Sequence, residues 1–277
     1  MQPRISVVTP SYNQGEYLET TILSVLGQAY PALEYIIIDG GSSDASVEVI
    51  QRYAHEIAYW ESVKDRGQSH AINKGFARAT GEIVSYLNSD DCYTATALQT
   101  VGEYFRRHTD CMWLCGNVLF TDVEGKVLRR KRPVYGDFIL RFAGASIYQP
   151  AVFVRRHVLD TVGLLREDFH AVMDLEWFCR IAERFRPHFI DSDLALFRWH
   201  PTSKSSSQRG SPHELRYLKE RAIVASRFHP QLSIAYERFP RLMVGMMGQI
   251  ARVDKLWKRL AVERARDLDD IVGPSGS

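Results

Sequence analysis

The sequence predicts an α/β protein with a mixed, mainly parallel sheet flanked by helices and with a helical carboxyl-terminal extension. Over the first hundred residues, short apolar runs alternate with segments of helical period, which is typical of strands joined by crossover helices. Pro, Gly or Asp follows several of these runs, and such residues end strands. From Pro212 to Asp270 the pattern is helical throughout. We therefore expect one sheet, followed by helices.

Local signals predict the elements of the first half. Asn13 and Glu16 have the spacing of a capping box and predict a helix that ends before Pro31. Ser43 or Asp44 can cap the helix that follows the second strand. A third helix is predicted from the stretch SHAINKGFARATG, which closes on glycine. The runs that predict strands are ISVVTP, EYIIID, AYWES and EIVSYL.

The middle of the chain is predicted to contain further strands and a hairpin. Between Tyr104 and Pro133 the stretch DVEGKV has the composition of a hairpin turn. The basic stretch KVLRRKRP, residues 126–133, is predicted to be a solvated loop rather than a binding patch. Asp174 enters a helix, and FIDSDLALFRWH predicts a strand that leads into a serine-rich loop.

Composition limits the classes of function. With 277 residues, of which 45% are apolar and 25% charged, the chain can bury one large core or two smaller ones. The net charge of +2 gives no indication of nucleic-acid binding. The four cysteines form no CxxC pair, which predicts reduced, mostly buried thiols. No apolar run approaches the ~20 residues that span a bilayer, and the amino terminus has no export-signal pattern, so we expect a cytoplasmic location.

Polar residues follow three of the predicted strands. They are Thr9 and Pro10, then Asp39 with two glycines, then the stretch NSDD at residues 88–91. In open sheets of this kind, ligands bind beyond the carboxyl ends of the strands. An alternative is that each aspartate caps the helix that follows it. The coincidence of three strand ends favours a binding site.

The adjacent carboxylates Asp90 and Asp91 indicate a cation. Two carboxylates a few ångströms apart do not both stay ionised unless a positive charge compensates them. Their hard oxygens favour Mg²⁺ or Mn²⁺ over Zn²⁺, and such ions usually bind substrate phosphates as well as protein. The pair therefore predicts a site for a metal ion and a diphosphate.

Six stretches of the sequence, taken together, carry a family resemblance. They are SVVTPSYNQGEYLETTILSVLGQAYP, IIIDGGSSDAS, DRGQSHAINKGFARATGEIVSYLNSDD, QPAVFVRR, MDLEWFCRIA and FRWHPTSKS. In order and spacing they resemble the inverting glycosyltransferases of family 2, over about residues 4–208. The resemblance implies the GT-A fold, which is Rossmann-like. It also implies transfer of a sugar from a UDP or dTDP sugar to a hydroxyl of a glycan or a lipid-linked glycan, with Mn²⁺ or Mg²⁺ as the cofactor.

The resemblance also implies a set of site residues. The residues implied to bind the nucleotide are Thr9, Pro10, Tyr12, Asp39, Asp65, Arg66, Asn88, Ser89 and Asp90. Those implied to bind the metal are Asp90, Asp91 and His200. A carboxylate such as Asp39 suits a pyrimidine base, because the N3–H of the base is a donor and the carboxylate only accepts. Asn88 stands where relatives often have an aspartate, so this motif carries one charge fewer.

Asp174 is the candidate catalytic base. Sugar transfer with inversion needs a single base to take the proton of the acceptor hydroxyl. Asp174 and Glu176 lie two positions apart on a predicted helix, about 200° around its axis, so they do not face the same pocket. Glu176 can pair with Arg180 on the outer side of the helix, which leaves Asp174. Asp174 also matches the base position of the family, and Met173 stands where many relatives have an acid.

The predicted domain organisation has two parts. Residues 1–210 form the catalytic domain, with a nucleotide-sugar half at about 1–100 and an acceptor half at about 101–210. Residues 211–277 form the helical extension, which carries the apolar series Met243, Met246, Ile250, Val253, Trp257 and Leu260. Basic residues surround this series, and three alternatives stay open for it: packing on the core, a homodimer, or peripheral contact with the inner face of the cell membrane.

Two other functions compete with sugar transfer. A sugar nucleotidyltransferase shares the nucleotide-binding layout, but it would carry a glycine-rich basic loop after the first strand, where this chain has TPSYNQGEY. A nucleotide-sugar-binding protein that lacks catalysis is compatible with Asn88 and Met173. Slow hydrolysis of the donor would exclude the second alternative.

Overall fold

The computed structural model describes residues 1–133, 135–136, 140, 147–200, 203, 210–228, 234–235, 238–239, 241–243, 245–246 and 249. The helices are α1 (Gly15–Leu26), α2 (Ser46–Arg52), α3 (Gln68–Arg78), α4 (Ala97–Arg107), α5 (His157–Val162), α6 (Met173–Ala182) and α7 (Pro212–Phe228). The strands are β1 (Ile5–Ser11), β2 (Leu33–Asp39), β3 (Tyr59–Ser62), β4 (Ile83–Tyr86), β5 (Cys92–Tyr93), β6 (Trp113–Thr121), β7 (Val127–Lys131), β8 (Val152–Arg155) and β9 (His188–Arg198).

The strands form one mixed sheet. Its order is β3-β2-β1-β4-β8-β6-β9-β5, and β7 pairs with β6. The first four strands are parallel, and β8 joins β4 in the antiparallel direction. The register places Ser11 beside Asp39, and Asp39 beside Ser62. The carboxyl ends of β1, β2 and β4 meet at one edge of the sheet, as the sequence predicts, and the carboxyl end of β3 lies at the same edge.

Each face of the sheet is covered by its own apolar cluster. Side chains alternate across a strand, so Val8 and Ile38 face a cluster that contains Phe76 of α3 and Trp177 of α6. Val7 and Ile37 face the opposite cluster, which contains residues of α1, α2 and α4. All four cysteines are buried and free, as predicted.

The start of α1 differs from the predicted capping box. Gln14, rather than Asn13, is the residue that precedes the helix, and it makes no side-chain capping bond. Asn13 has a positive φ of 50°, and its side chain accepts the backbone N–H of Ser43 at 2.9 Å. Asp44 accepts the N–H of Gly15 at 2.9 Å and that of Ser46 at 3.0 Å. One carboxylate, that of Asp44, therefore binds the first turns of two helices, and it is distant in sequence from Asn13, the predicted cap of α1.

Residues 127–131 of the basic stretch 126–133 form a strand, so the prediction of a loop is wrong, whereas the predicted exposure to solvent is confirmed for most of the stretch. β7 pairs with β6 in the antiparallel direction, with Arg129 opposite Phe120 and Lys131 opposite Val118. The hairpin itself is confirmed, because Asp122 and Lys126 close the turn through a backbone hydrogen bond of 3.1 Å. Pairing with β6 gives alternate side chains of this stretch to opposite faces of the sheet.

Helix α7 packs on the segment that leads into α6. The buried carboxylate of Glu220 accepts the backbone N–H groups of His170, Ala171 and Val172 at 2.7–3.1 Å. These donors lie at the amino terminus of α6, where a negative charge is favourable. Glu220 therefore fixes the position of α6 from outside the part of the chain that carries the family resemblance.

Glu176 of α6 does not lie on the outer side, contrary to the prediction. It pairs with Arg180, as predicted, but its side chain is buried, and it also contacts Arg227 of α7 at 3.3 Å. The expected pairing is correct, and the expected exposure is wrong, because α7 covers this side of the helix.

Much of the predicted carboxyl-terminal extension lies outside the described residues. This includes Ile250, Val253, Trp257 and Leu260 of the predicted apolar series. Within the described ranges, no helix is both long enough and apolar enough to cross a bilayer.

Candidate functional site

A cavity of about 720 Å³ opens at the carboxyl edge of the parallel strands. The residues after β1, β2 and β4 converge on it. Its wall includes Pro10, Tyr12, Asp65, Asn88, Ser89 and Asp90, which are six of the nine predicted nucleotide-binding residues. We call it the first cavity.

Thr9 and Asp39 lie behind the wall of the first cavity. Both are fully buried, and the Thr9 hydroxyl lies 3.1 Å from the hydroxyl of Tyr35. The Asp39 carboxylate accepts hydrogen bonds from the N–H groups of Gly41 and Ser42 and from the hydroxyls of Ser42 and Ser62, at 2.6–3.1 Å. Here Asp39 fixes the loop after β2, and its contact with a base stays a prediction.

Asp65 and Arg66 point in different directions. Asp65 lines the cavity, and one of its oxygens accepts the N–H of Gly67 at 2.7 Å. A Cβ at Gly40 would lie 2.9 Å from the other oxygen, so a larger residue at this position would displace the Asp65 carboxylate. Arg66 is largely exposed and pairs with Glu167 at 2.7 Å. Its predicted contact with the nucleotide therefore competes with an ion pair.

The two aspartates of the NSDD stretch lie in different environments. Asp90 faces the cavity with 23% of its side chain exposed, whereas Asp91 is buried. Asp91 accepts the backbone N–H of Arg198 at 3.1 Å and the side-chain amide of Asn88 at 3.4 Å. Burial raises the pKa of Asp91 well above its ordinary value, and the charge of Asp90 raises it further. The two carboxylates therefore do not act as equivalent ligands.

His200 joins Asp90 rather than Asp91. Its Nε2 lies 3.0 Å from Oδ2 of Asp90, and its buried ring lies 4.7 Å from that of Tyr17, centroid to centroid. Within the ranges that the structure describes, no three His, Cys, Asp or Glu side chains are grouped for a metal ion. A carboxylate with a neighbouring imidazole still fits Mn²⁺ or Mg²⁺, since such ions complete their coordination with water and substrate phosphates.

Two buried polar atoms that line the first cavity were not predicted from the sequence. The hydroxyl of Ser11 and the side-chain oxygen of Gln14 make no hydrogen bond within the described part of the chain. A buried polar atom in this state is costly, and a polar ligand satisfies it. Both residues lie in the stretch TPSYNQ, so their position after the first strand was a usable signal.

A second cavity of about 480 Å³ adjoins the first. Gln68, Asn88 and Phe197 line both cavities. Asp174, at the first turn of α6, lines the second cavity, whereas Glu176 faces α7. The helical geometry that separated these two carboxylates in the sequence is confirmed. The catalytic role of Asp174 stays a prediction.

Tyr86 brings a hydroxyl to the same wall as Asp174. It ends β4, it is buried, and its hydroxyl makes no hydrogen bond among the described residues. Burial, and then the charges of Asp174 and Asp91, hold the pKa of Tyr86 well above its ordinary value, so the group is a donor. A ligand hydroxyl between Tyr86 and Asp174 would satisfy this donor.

A chain of side-chain amides separates the two cavities. Gln68 donates to Asn88 at 2.7 Å, Asn88 donates to Gln149 at 3.2 Å, and Gln149 donates to the carbonyl of Tyr86 at 2.6 Å. Asn88 therefore uses its oxygen and its NH₂ group at once. An aspartate in its place would keep the acceptor and lose the donors. Gln149 was missed, although it opens the quoted stretch QPAVFVRR.

Comparison with known proteins assigns the class. Residues 6–181 match the glycosyl transferase family 2 model, which is more than half of the chain. The chain therefore belongs to glycosyltransferase family 2, and the family resemblance of the sequence is confirmed.

Curated relatives agree with this class. An uncharacterized glycosyltransferase of Escherichia coli, YibD, is 36% identical over 243 residues, which are 78% of this chain and 67% of that protein. TuaG of Bacillus subtilis, a glycosyltransferase assigned by its name to teichuronic acid biosynthesis, is 37% identical over 108 residues, 37% of this chain and 42% of that protein. The chain spans 33% to 66% of the length of the first three curated relatives that it matches.

Solved structures confirm the GT-A fold. Staphylococcus aureus TarS 1–349 in complex with UDP-GlcNAc has a TM-score of 0.63 at 18% identity, over 80% of this chain and 66% of that one. The mannosyltransferase PcManGT of Pyrobaculum calidifontis, in complex with GDP-Man and Mn²⁺, has a TM-score of 0.60 at 20% identity, over 97% of this chain and 81% of that one.

Proposed function

We propose that the protein is an inverting glycosyltransferase that moves a sugar from a UDP or dTDP sugar to an acceptor hydroxyl. The observation that carries this proposal is the pair of adjoining cavities, one with Asp90 and His200 in contact and the other with Asp174. The donor binds in the first cavity and the acceptor in the second. Family membership favours this reaction over nucleotidyl transfer and over binding alone.

Donor binding uses the polar groups of the first cavity. Ser11 and Gln14 supply buried hydrogen-bonding atoms, and the loops fixed by Asp39 and Asp65 shape the pocket. Among the described lining residues, Asp65 and the partly exposed Asp90 are carboxylates, Asp91 is a buried one, and Lys64 is the one lysine. A diphosphate would be repelled by this wall unless a cation accompanied it. The charge of the wall therefore supports a divalent cation as part of the donor complex.

Asp90 and His200 are the residues that would hold this cation. A divalent cation there would supply charge stabilisation to the diphosphate as the sugar leaves. Asp91 would support Asp90 without binding the cation itself, because its oxygens accept hydrogen bonds from the N–H of Arg198 and the side-chain amide of Asn88. Asp91 thus orients the loop that carries Asp90.

Transfer is a direct displacement. Asp174 takes the proton of the acceptor hydroxyl, whose oxygen attacks the anomeric carbon of the donor from the face opposite the diphosphate. The bond from that carbon to the diphosphate oxygen breaks, and the nucleoside diphosphate leaves with the electron pair. Tyr86 donates a hydrogen bond to the acceptor, and the amide chain of Gln68, Asn88 and Gln149 holds the boundary between the two substrates.

The acceptor is proposed to be a growing glycan of the cell envelope. The name of TuaG, a partial relative, supports a polymer of this kind. Such a reaction would occur on the cytoplasmic side, with or without contact between the carboxyl-terminal helices and the inner face of the membrane.

A thermal-shift screen tests the donor half of the proposal. The full chain is heated with UDP, dTDP, GDP or CDP, with and without Mn²⁺. We expect UDP or dTDP alone among the four to raise the melting temperature, and only when Mn²⁺ is present. A ligand at 100 times its Kd stabilises the folded protein by about 2.7 kcal/mol, which is large enough to detect. If none of the four nucleotides raises the melting temperature, the proposed function is overturned. If a nucleotide raises the melting temperature equally with and without Mn²⁺, donor binding does not need the metal.

A further inference from the structure

We propose that the acceptor is anionic, and that its carboxylate or phosphate group binds Arg129, Lys131 and Arg221 in the second cavity. This inference rests on the proposed function, since it names the substrate class of the same site. Among the described residues that line the cavity, these three permanent cations face one carboxylate, that of Asp174. The cavity is thus basic in a chain whose net charge is only +2.

The alternation of β7 selects which basic side chains reach the cavity. Arg129 and Lys131 lie on one face of the strand and line the cavity. Arg130 and Arg132 lie on the other face. There Arg130 pairs with Asp193 at 2.5 Å and with Asp191 at 3.1 Å, and Arg132 pairs with Asp191 at 3.3 Å. The four consecutive basic residues therefore divide into Arg130 and Arg132, which pair with Asp191 and Asp193, and Arg129 and Lys131, which line the cavity.

Arg129 is held in place by an aromatic ring. Its guanidinium carbon lies 4.6 Å from the centroid of Phe120, the residue opposite it in the hairpin. Such a contact orients the planar guanidinium, which can then donate two hydrogen bonds to one carboxylate or phosphate. Phe120 itself lines the cavity, so the charge sits beside an apolar surface on which a sugar ring can pack.

Arg221 lines the same cavity but belongs to a different element. It lies on α7, it is fully buried, and it lines the cavity together with Asp174. The adjacent residue Glu220 holds the segment before α6, so the position of Arg221 is tied to that of the catalytic carboxylate. A guanidinium fixed in a largely desolvated wall is well suited to a phosphate or a carboxylate.

A binding assay with matched probes and matched variants tests the inference. The probes are a tetrasaccharide of alternating glucuronate and N-acetylglucosamine, a glycerol phosphate trimer, and neutral chitotetraose. Binding is followed by tryptophan fluorescence, since Trp199 lines the cavity, with UDP and Mn²⁺ present. Arg129→Gln with Lys131→Gln removes two charges from the cavity face. Arg130→Gln with Arg132→Gln removes two from the other face of the same strand.

We expect the wild-type chain to bind at least one acidic probe and to bind chitotetraose at least about tenfold more weakly. The cavity-face variant should lose about tenfold in affinity for that acidic probe, and the opposite-face variant should stay within about threefold of wild type. The glucuronate and glycerol phosphate arms distinguish a carboxylate from a phosphate. Arg221→Gln should weaken binding as well, but it is buried, so the hairpin variants carry the test.

Three results would overturn the inference: equal affinity for chitotetraose, equal loss in both hairpin variants, or no binding of either acidic probe at millimolar concentration. UDP binding in the presence of Mn²⁺, measured on the same samples, separates this inference from the proposed function. If UDP binds and the acidic probes do not, the acceptor class alone is wrong. If UDP does not bind to the wild-type chain, the proposed function fails first.

Discussion

The two cavities differ in charge and in how the chain builds them. Among the described lining residues, the first cavity has three carboxylates and one lysine, whereas the second has three permanent cations and one carboxylate. The first is formed mainly by strand ends and loops within the first 91 residues, and the second combines the β6–β7 hairpin, α6 and α7. A carboxylate-lined wall binds an anionic donor only with a cation, while a basic wall binds an anion directly. Under the proposed function, the opposite charges of the two cavities would direct the donor to the first cavity and an anionic acceptor to the second.

The largest expected effect is that of Asp174→Asn. Loss of the base should lower the rate of sugar transfer by about 10²- to 10⁴-fold, since this is the usual contribution of a general base. UDP binding with Mn²⁺ should be unchanged, because Asp174 lies in the second cavity. Transfer is measured as labelled sugar on the acceptor, and Asp168→Asn, an exposed carboxylate before the same helix, is the control. Full turnover by Asp174→Asn would show that Asp174 is not the catalytic base.

Asp90→Asn should impair binding in the first cavity and leave the second cavity unchanged, which is the reverse of what we expect for Asp174→Asn. It should weaken Mn²⁺-dependent UDP binding by at least about 10-fold, which is the lower end of the losses seen even for residues one step removed from a metal. Binding of an acidic probe in the second cavity should change little. Isothermal titration with UDP, with and without Mn²⁺, measures the first quantity. Retention of the full cation dependence would mean that Asp90 does not hold the metal.

Glu220→Gln should damage the second cavity alone. The substitution removes the charge that accepts three backbone N–H groups before α6, and hydrogen bonds to a charged group contribute about 1.5–3 kcal/mol. We expect a loss of about 1–2 kcal/mol in the free energy of unfolding and a raised KM for the acceptor. Denaturant unfolding measures the first, with exposed Lys219→Gln as control. Loss of UDP affinity would show that α7 supports both cavities.

The smallest effect is expected for Arg66→Ala. Glu167 competes for this guanidinium, so UDP affinity should fall by only about threefold, and the exposed ion pair should contribute less than about 1 kcal/mol to stability. Glu167→Gln releases the arginine and should leave UDP binding equal or tighter. A hundredfold loss in Arg66→Ala would mean that the arginine leaves Glu167 when the donor binds.

The same comparison explains what the sequence could predict. The first cavity is built by residues that directly follow strands, so Pro10, Tyr12, Asp65 and Asp90 could be placed from periodicity and resemblance. The parallel order of the strands brings these short stretches together without further information.

The second cavity could not be predicted in the same way. Asp174 was placed by helical geometry, but Tyr86 and Gln149 reach it through an antiparallel pairing of β4 with β8 that no local signal specifies. Arg129 was assigned to a loop because the basic composition of its stretch outweighed the strand period. The position of Arg221 depends on where α7 docks, which is set by contacts with distant residues: Glu220 binds the N–H of Ala171, and Arg227 pairs with Glu176.

A crystal of the full chain soaked with UDP and Mn²⁺, with data collected at the manganese absorption edge, bears most directly on the division between the two cavities. We predict an anomalous peak in contact with Asp90 and next to His200, with the diphosphate beside it in the first cavity and the second cavity left open next to Asp174. A nucleotide bound among Arg129, Lys131 and Arg221 would contradict that division, and so would manganese remote from Asp90.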